Sequence, residues 1–161
     1  MRILAIIAAL TLILDQFSKY LVVQLMNLAH LGEISTLAPY LNLRMAWNSG
    51  VNFGLFAHSS DATRWVLIAL ALGISAAVLF WLRKDQTNAR LMAAAGLLVG
   101  GALGNVIDRV IYGAVADFLN MSCCGIQNPY SFNVADVAIF AGAVGLAVFT
   151  DKKAETDRKT P

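Results

Sequence analysis

Two aspartates stand where a carboxylate is costly: Asp117 in Val115-Ala116-Asp117-Phe118 and Asp136 in Phe132-Asn133-Val134-Ala135-Asp136. Each adjoins an apolar run long enough to cross a bilayer, and the loop between them is rich in Asn, Gly, Pro and Cys. A charge in hydrocarbon costs about 2.5–3.5 kcal/mol at a helix centre on insertion scales, so an acid placed there is expected to have a function. Two acids brought within about 3–5 Å cannot both ionise cheaply; one pKa rises and the pair holds a shared proton. One carboxylate then activates water while the other delivers a proton, which is the chemistry of an aspartic peptidase. Structural roles stay open for each residue taken singly. Asn133 and Asp136 have the spacing of a helix N-cap and an acidic third residue, favoured by the helix dipole, and Asp117 could cap a loop.

The 161 residues are 58% hydrophobic and 14% charged, with a mean hydropathy of +0.66, which indicates a single polytopic membrane domain, residues 1–161. A net charge of +2 does not suggest a nucleic-acid partner, because the basic residues cluster at the ends of apolar segments, where topology accounts for them. Cys123 and Cys124 are adjacent, so neither a disulfide framework nor a CxxC metal motif is legible, and a bond between neighbours would be strained. The two histidines, His30 and His58, fall in the first loop, away from either cysteine, which disfavours a catalytic thiol. No cofactor or metal is expected: two aspartates without His or Glu nearby make a poor zinc site. Met1-Arg2 before apolar Ile3 to Leu14 resembles a signal peptide, but no small-residue cleavage pattern follows, and the stretch reads as an uncleaved first span.

The elements that must position the aspartates follow from hydropathy. The expected fold is an all-α polytopic membrane protein with four transmembrane helices, over about 3–25, 65–82, 91–111 and 132–149, and a polar, disordered cytoplasmic tail from Asp151 to Pro161. Within the first span, Asp15 and Lys19 share a helical face at i and i+4 and can neutralise each other, a structural bridge in the first instance. In the first loop Leu41, Leu43, Met45 and Trp47 alternate with Asn42, Arg44, Ala46 and Asn48, the period of a strand with one apolar face. Followed by Asn48-Ser49-Gly50-Val51-Asn52-Phe53-Gly54, it suggests a small extracytoplasmic β-containing platform above the aspartates. Asn48 and Gly50 could serve a tight turn or contact an extended peptide. Gly96, Gly100 and Gly104 recur every fourth residue in the third span, a seam for close helix approach. Asn105, Asp108 and Arg109 follow it, and a scaffold role is assigned to the last two. Arg2, Arg83, Lys84, Arg90, Lys152, Lys153, Arg158 and Lys159 share one side, against Arg44 and Arg64 on the other, so both termini are expected in the cytoplasm.

Taken as a set and in order, Asp15-Gln16-x-Ser18-Lys19, Asn48-x-Gly50-x-x-Phe53-Gly54, Gly100-Gly101-x-x-Gly104-Asn105-x-x-Asp108-Arg109, Val115-x-Asp117-Phe118 and Phe132-Asn133-x-Ala135-Asp136 closely resemble lipoprotein signal peptidase, the bacterial signal peptidase II family. The resemblance implies an aspartyl endopeptidase of the bacterial cytoplasmic membrane, which removes signal peptides from prolipoproteins by cutting before a diacylglyceryl-modified cysteine. It implies Asp117 and Asp136 as the catalytic pair. Asp15, Lys19, Asn48, Gly50, Gly101, Asn105, Asp108, Arg109, Asn133 and Ala135 match the family's supporting positions. The expected partners are diacylglyceryl-modified prolipoproteins and membrane lipid, the expected state a monomer, and the expected site lies near the outer face. A proton or ion carrier, a non-catalytic scaffold built on the glycine seam and a metallopeptidase remain the competing classes.

Overall fold

The computed structural model of the protein describes residues 1–37, 40–50, 60–83, 88–123 and 128–159; for Ser60 and 151–159 it describes the backbone alone. Asn52, Phe53 and Gly54 of the first-loop motif, His58, Lys84 and Cys124 lie outside the described residues. Helix α1 (Arg2–Lys19) runs on into a π-helical segment, Tyr20–Leu25, and a short α2 (Leu28–Leu31). Strands β1 (Glu33–Leu37) and β2 (Leu41–Asn48) come next, then α3 (Ser60–Leu82), α4 (Ala89–Tyr112), β3 (Val115–Met121) and α5 (Val134–Lys159).

The fold is therefore mostly helical, with one small antiparallel sheet ordered β1-β2-β3. The helices α1 with its π segment, α3 and α4 are each long and apolar enough to cross a membrane; the apolar part of α5, Val134–Thr150, is shorter. Helix α4 is the centre. A Cβ on Gly96 would strike Ile7, one on Gly100 would strike Ala8 and Thr11, and one on Gly104 would strike Asp15, so α1 lies parallel to α4 along the glycine seam. On its other face Gly101 meets Ala135 and Ile139, and Gly142 of α5 meets Leu98 and Ala94, so α5 runs antiparallel. The seam works as the four-residue spacing predicts: without side chains the backbones come within van der Waals range.

Apolar packing closes the molecule at both ends. Leu4, Leu82, Leu91, Met92 and Ala95 form a cluster at the end holding the α3–α4 connection. Val22, Leu28, Leu43 and Phe118 form a second under the sheet. Between them lies a polar band made by α1, α4, β3 and the start of α5, described below.

Three expectations change. The predicted alternation from Leu41 to Asn48 is a strand, but it sits between two others that hydropathy did not reveal, and one of them, β3, carries Asp117. Asp and Asn are depleted in strands, so Val-Ala-Asp-Phe-Leu-Asn-Met reads as loop until β2 supplies its partner. Helix α5 begins at Val134, two residues after the helical start expected at about Phe132, because Phe132 pairs with Leu119 of β3. The tail expected to be disordered from Asp151 continues α5 to Lys159. Extending an existing helix adds a hydrogen bond per residue without a new nucleus, and Lys-Lys-Ala-Glu is a run of good helix formers.

Candidate active site

Asp117 is delivered by strand pairing. Ala46 of β2 faces Asp117 in the antiparallel register, and on the far side of β3 the N–H groups of Phe118 and Leu119 donate to Phe132 O at 3.0 and 2.8 Å. Phe132 is thus held against β3, and the next residue, Asn133, must turn beside Asp117 before α5 begins. Asn133 caps the helix: its Oδ1 accepts from the Asp136 N–H at 2.8 Å, while its own N–H donates to Asp136 Oδ2 at 3.2 Å. This reciprocal box is the structural role that the Asn133–Asp136 spacing left open.

The same cap assembles the site. Asn133 Nδ2 donates to Asp117 Oδ1 at 2.6 Å and to Asn105 Oδ1 at 3.3 Å, and Asn105 Nδ2 donates to Asp136 Oδ1 at 2.9 Å. Asn48 Nδ2 donates to the other oxygen of Asp117, Oδ2, at 3.1 Å. Asn48 Oδ1 in turn accepts the N–H of Gly50 at 2.9 Å, closing a tight turn in which Gly50 adopts φ +79, the left-handed region where glycine carries no penalty. The two readings of Asn48 and Gly50 are therefore not exclusive: the turn aims the amide at Asp117. Both aspartates belong to one hydrogen-bonded network built on the amides of Asn48, Asn105 and Asn133, and the Lys19 ammonium joins it at Asn105 Oδ1.

That setting alters acidity. Asp117 is buried, 3% exposed. Burial, and then the charge of Asp136, push its pKa from 3.8 up to about 6, against the amides of Asn48 and Asn133, which favour the carboxylate. One member of the pair is thereby poised to hold a proton close to neutrality, while Asp136 is only partly buried.

A second cluster lies behind the first. Lys19 Nζ is 2.8 Å from Asp15 Oδ2 and 2.7 Å from Asp108 Oδ2, with both carboxylates fully buried. Gln16 Nε2 donates to Asp15 Oδ2 at 3.1 Å and Asp108 Oδ1 at 3.0 Å, and Lys19 Nζ also reaches Asn105 Oδ1 at 3.4 Å. The i,i+4 pair read from the sequence is real, but it has a third member, Asp108, from another helix. Gln16, which no spacing argument singled out, lies among them. Gly101 and Ala135 serve by absence of bulk: a Cβ on Gly101 would sit 2.6 Å from Ala135 O, so any larger residue would push the start of α5 away.

Arg109 lies within electrostatic reach of Asp136 and Asp117 without an ion pair to either. Its Nη1 donates to Asn105 O at 3.3 Å, and among the described residues no carboxylate lies within ion-pair distance of it. It borders, with Asn105, a groove of about 440 Å³ otherwise lined by apolar side chains of α3, α4 and α5, including Leu67, Ile74, Leu98 and Ile139. Cys123 is disulfide-bonded, which removes its free thiol from consideration.

A family model described as signal peptidase (SPase) II matches residues 7–150. A lipoprotein signal peptidase of Methylobacterium sp. (strain 4-46) is 42% identical over 143 residues, covering 89% of this chain and 85% of that protein. One from Sphingopyxis alaskensis is 37% identical over 158 residues, covering 96% and 90% respectively. Among solved structures, a bacterial membrane enzyme determined by the in meso method at 1.9 Å resolution superposes with a TM-score of 0.77 at 28% identity over 90% of each chain. A second, at 2.3 Å, gives 0.75 at 28% identity over 97% of this chain and 91% of that one.

Proposed function

The chain belongs to the signal peptidase II family, and we propose that it is an intramembrane aspartyl endopeptidase, which removes the signal peptide of a bacterial prolipoprotein by cutting before its diacylglyceryl-modified cysteine. The observation that carries this reading is the tether through Asn133, which holds Asp117 and Asp136 in one network through side-chain amides. Peptide hydrolysis needs an activated water, a proton for the leaving amine and relief of the charge on the tetrahedral intermediate. An ionised member of the pair takes the proton of the water, and the protonated member gives one to the amine. Asn48 and Gly50 position the extended peptide, and Asn105, Arg109 and Asn133 keep the pair and its loops in register.

Topology supports the substrate class. Helices α1 and α4 run one way and α5 the other, which supports four alternating crossings with the sheet on one side. Arg2, Arg83 and Arg90 mark the other side, which the distribution of basic residues assigns to the cytoplasm of the inner membrane. The pair then lies near the outer face, where the signal helix is still in the bilayer, the acyl chains anchor the cysteine and the mature protein is already outside. The apolar groove leading to Asn105 and Arg109 offers such a substrate a path from lipid to the carboxylates.

The test is cleavage of a diacylglyceryl-modified prolipoprotein by purified wild type, Asp117→Asn and Asp136→Asn, each checked for folding and for substrate binding. Both variants should bind and should lose about 10²–10⁴-fold in turnover, the range of positioned acid–base groups. Near wild-type turnover in either folded variant overturns the two-aspartate mechanism.

A further inference from the structure

Each aspartate of the pair follows an alanine, and each alanine's backbone N–H is taken by a buried carboxylate of the second cluster. The Ala116 N–H donates to Asp108 Oδ2 at 3.1 Å, and the Ala135 N–H donates to Asp15 Oδ1 at 3.0 Å. One cation joins those two carboxylates, with Lys19 Nζ at 2.8 Å from Asp15 and 2.7 Å from Asp108. A continuous polar bridge thus runs from the N–H of Ala116, through Asp108, Lys19 and Asp15, to the N–H of Ala135.

From this geometry we infer that Asp15, Lys19 and Asp108 act as a positioning clamp, which sets the separation of Asp117 and Asp136 by gripping the backbone one residue ahead of each. The inference rests on the reading of Asp117 and Asp136 as the catalytic pair. Bulk stability does not account for the arrangement. A buried ion pair is commonly no more stabilising than apolar side chains of the same volume, and the opposite end of the bundle holds a cluster of such side chains. What the bridge adds is geometry. The Ala135 N–H is one of the unpaired donors of the first turn of α5, which any acceptor could satisfy, yet its acceptor comes from α1 and is pinned by Lys19. The negative charge of Asp15 is also favoured at that end of the helix. Lys19 touches the network a third time, at Asn105 Oδ1, whose amide holds Asp136.

The decisive experiment deletes the two N–H groups without altering any side chain, and an ester at Ala138, away from the bridge, controls for the weaker carbonyl that each ester also leaves. Replacing Ala116 or Ala135 by lactic acid in the full-length chain turns one amide into an ester and leaves every side chain in place. Asp15→Asn and Asp108→Asn form a second series, retaining an acceptor oxygen but losing the charge that Lys19 grips. Each is assayed on a diacylglyceryl-modified prolipoprotein, with kcat expressed per folded molecule and the thermal midpoint measured in parallel. Displacement of a catalytic group by about 1 Å costs about 10²-fold, so each ester at Ala116 or Ala135 should lower kcat by about 10- to 100-fold relative to the Ala138 control while KM stays within about twofold. The double ester should lose less than the product of the two single effects, because the clamp acts as a unit. If the esters or, should those not fold, the Asn variants keep wild-type kcat per folded molecule and only melt earlier, the bridge merely stabilises and the clamp is wrong. Asp117→Asn run alongside separates the two claims. An inactive Asp117→Asn with fully active esters removes only the clamp, whereas an active Asp117→Asn removes the catalytic reading itself.

Discussion

Two pairs of aspartates lie within this one polar band, and their surroundings are opposite. Asp15 and Asp108 are fully buried, share Lys19 and Gln16, and each also accepts one backbone N–H, Asp15 with its other oxygen and Asp108 with the oxygen that meets Lys19. Asp117 and Asp136 have no cation within ion-pair distance among the described residues and are held by Asn48, Asn105 and Asn133. An ammonium between two carboxylates ties both to one cation. Neutral amides fix the position of a carboxylate without committing its charge, which leaves a proton free to be shared. On the proposed reading, burial alone does not separate a catalytic acid from a structural one; the neighbour that holds it, a cation or an amide, does.

The contrast breaks most visibly at Lys19. Lys19→Met leaves two buried carboxylates without their cation, and the loss of one partner of a buried pair costs about 3–5 kcal/mol. Thermal unfolding in detergent should show this as a large drop in midpoint, and a midpoint equal to wild type would mean that Asp15 and Asp108 are not both charged.

Asp117→Asn should move stability the other way. The folded-state pKa of Asp117, about 6, lies above its ordinary 3.8. The native state therefore binds this proton more tightly than the unfolded chain does. The stability it contributes is complete below about pH 3.8 and is lost as the pH rises through about 6. Removing the ionisable group should accordingly stabilise the fold by about 1–3 kcal/mol at pH 8 and leave it little changed at pH 4. An inactive variant that melts later at pH 8 would sharpen the distinction between the pairs, and one that melts earlier at that pH would erase it.

The same shift bears on turnover. A pair that works with one proton should lose kcat/KM as the pH rises past an apparent pKa of about 6, a value belonging to the pair rather than to one residue. A pH-rate profile flat from 5 to 8 would contradict that. The smallest effect on stability belongs to Asn133→Ala. Loss of the cap costs about 1 kcal/mol. Because Asn133 also ties Asp117 to Asp136, the accompanying fall in kcat should exceed that seen on weakening the side-chain cap of α4 with Asn88→Ala, which takes its acceptor from the N–H groups of Arg90 and Leu91.

Much of this was legible without coordinates. The apolar runs, the glycine seam, the Asp15–Lys19 pair and the strand from Leu41 follow from period and spacing, because they are local. Local too is the Asn133–Asp136 box, although its sequence signature reads as a cap and nothing more. Strand β3 was hidden, since Asp117 and Asn120 lower its propensity and only pairing with β2 makes the strand. Gln16 was hidden because its acceptors, Asp108 and Gly104, are 92 and 88 residues away.

The sequence by itself determined where hydrocarbon can lie, where glycine lets helices touch, and which acids would be costly there, since each of these depends on residue type and near neighbours. Only the tertiary structure decided which acid meets which. Four aspartates from α1, α4, β3 and α5 sort into a cation-bridged pair and an amide-held pair, because α4 brings Asp108 to Lys19 while pairing of Phe132 with β3 brings Asn133 to Asp117. Charge neutralisation acts over a few ångströms of space, and distance in space is what the order of residues along a chain does not contain.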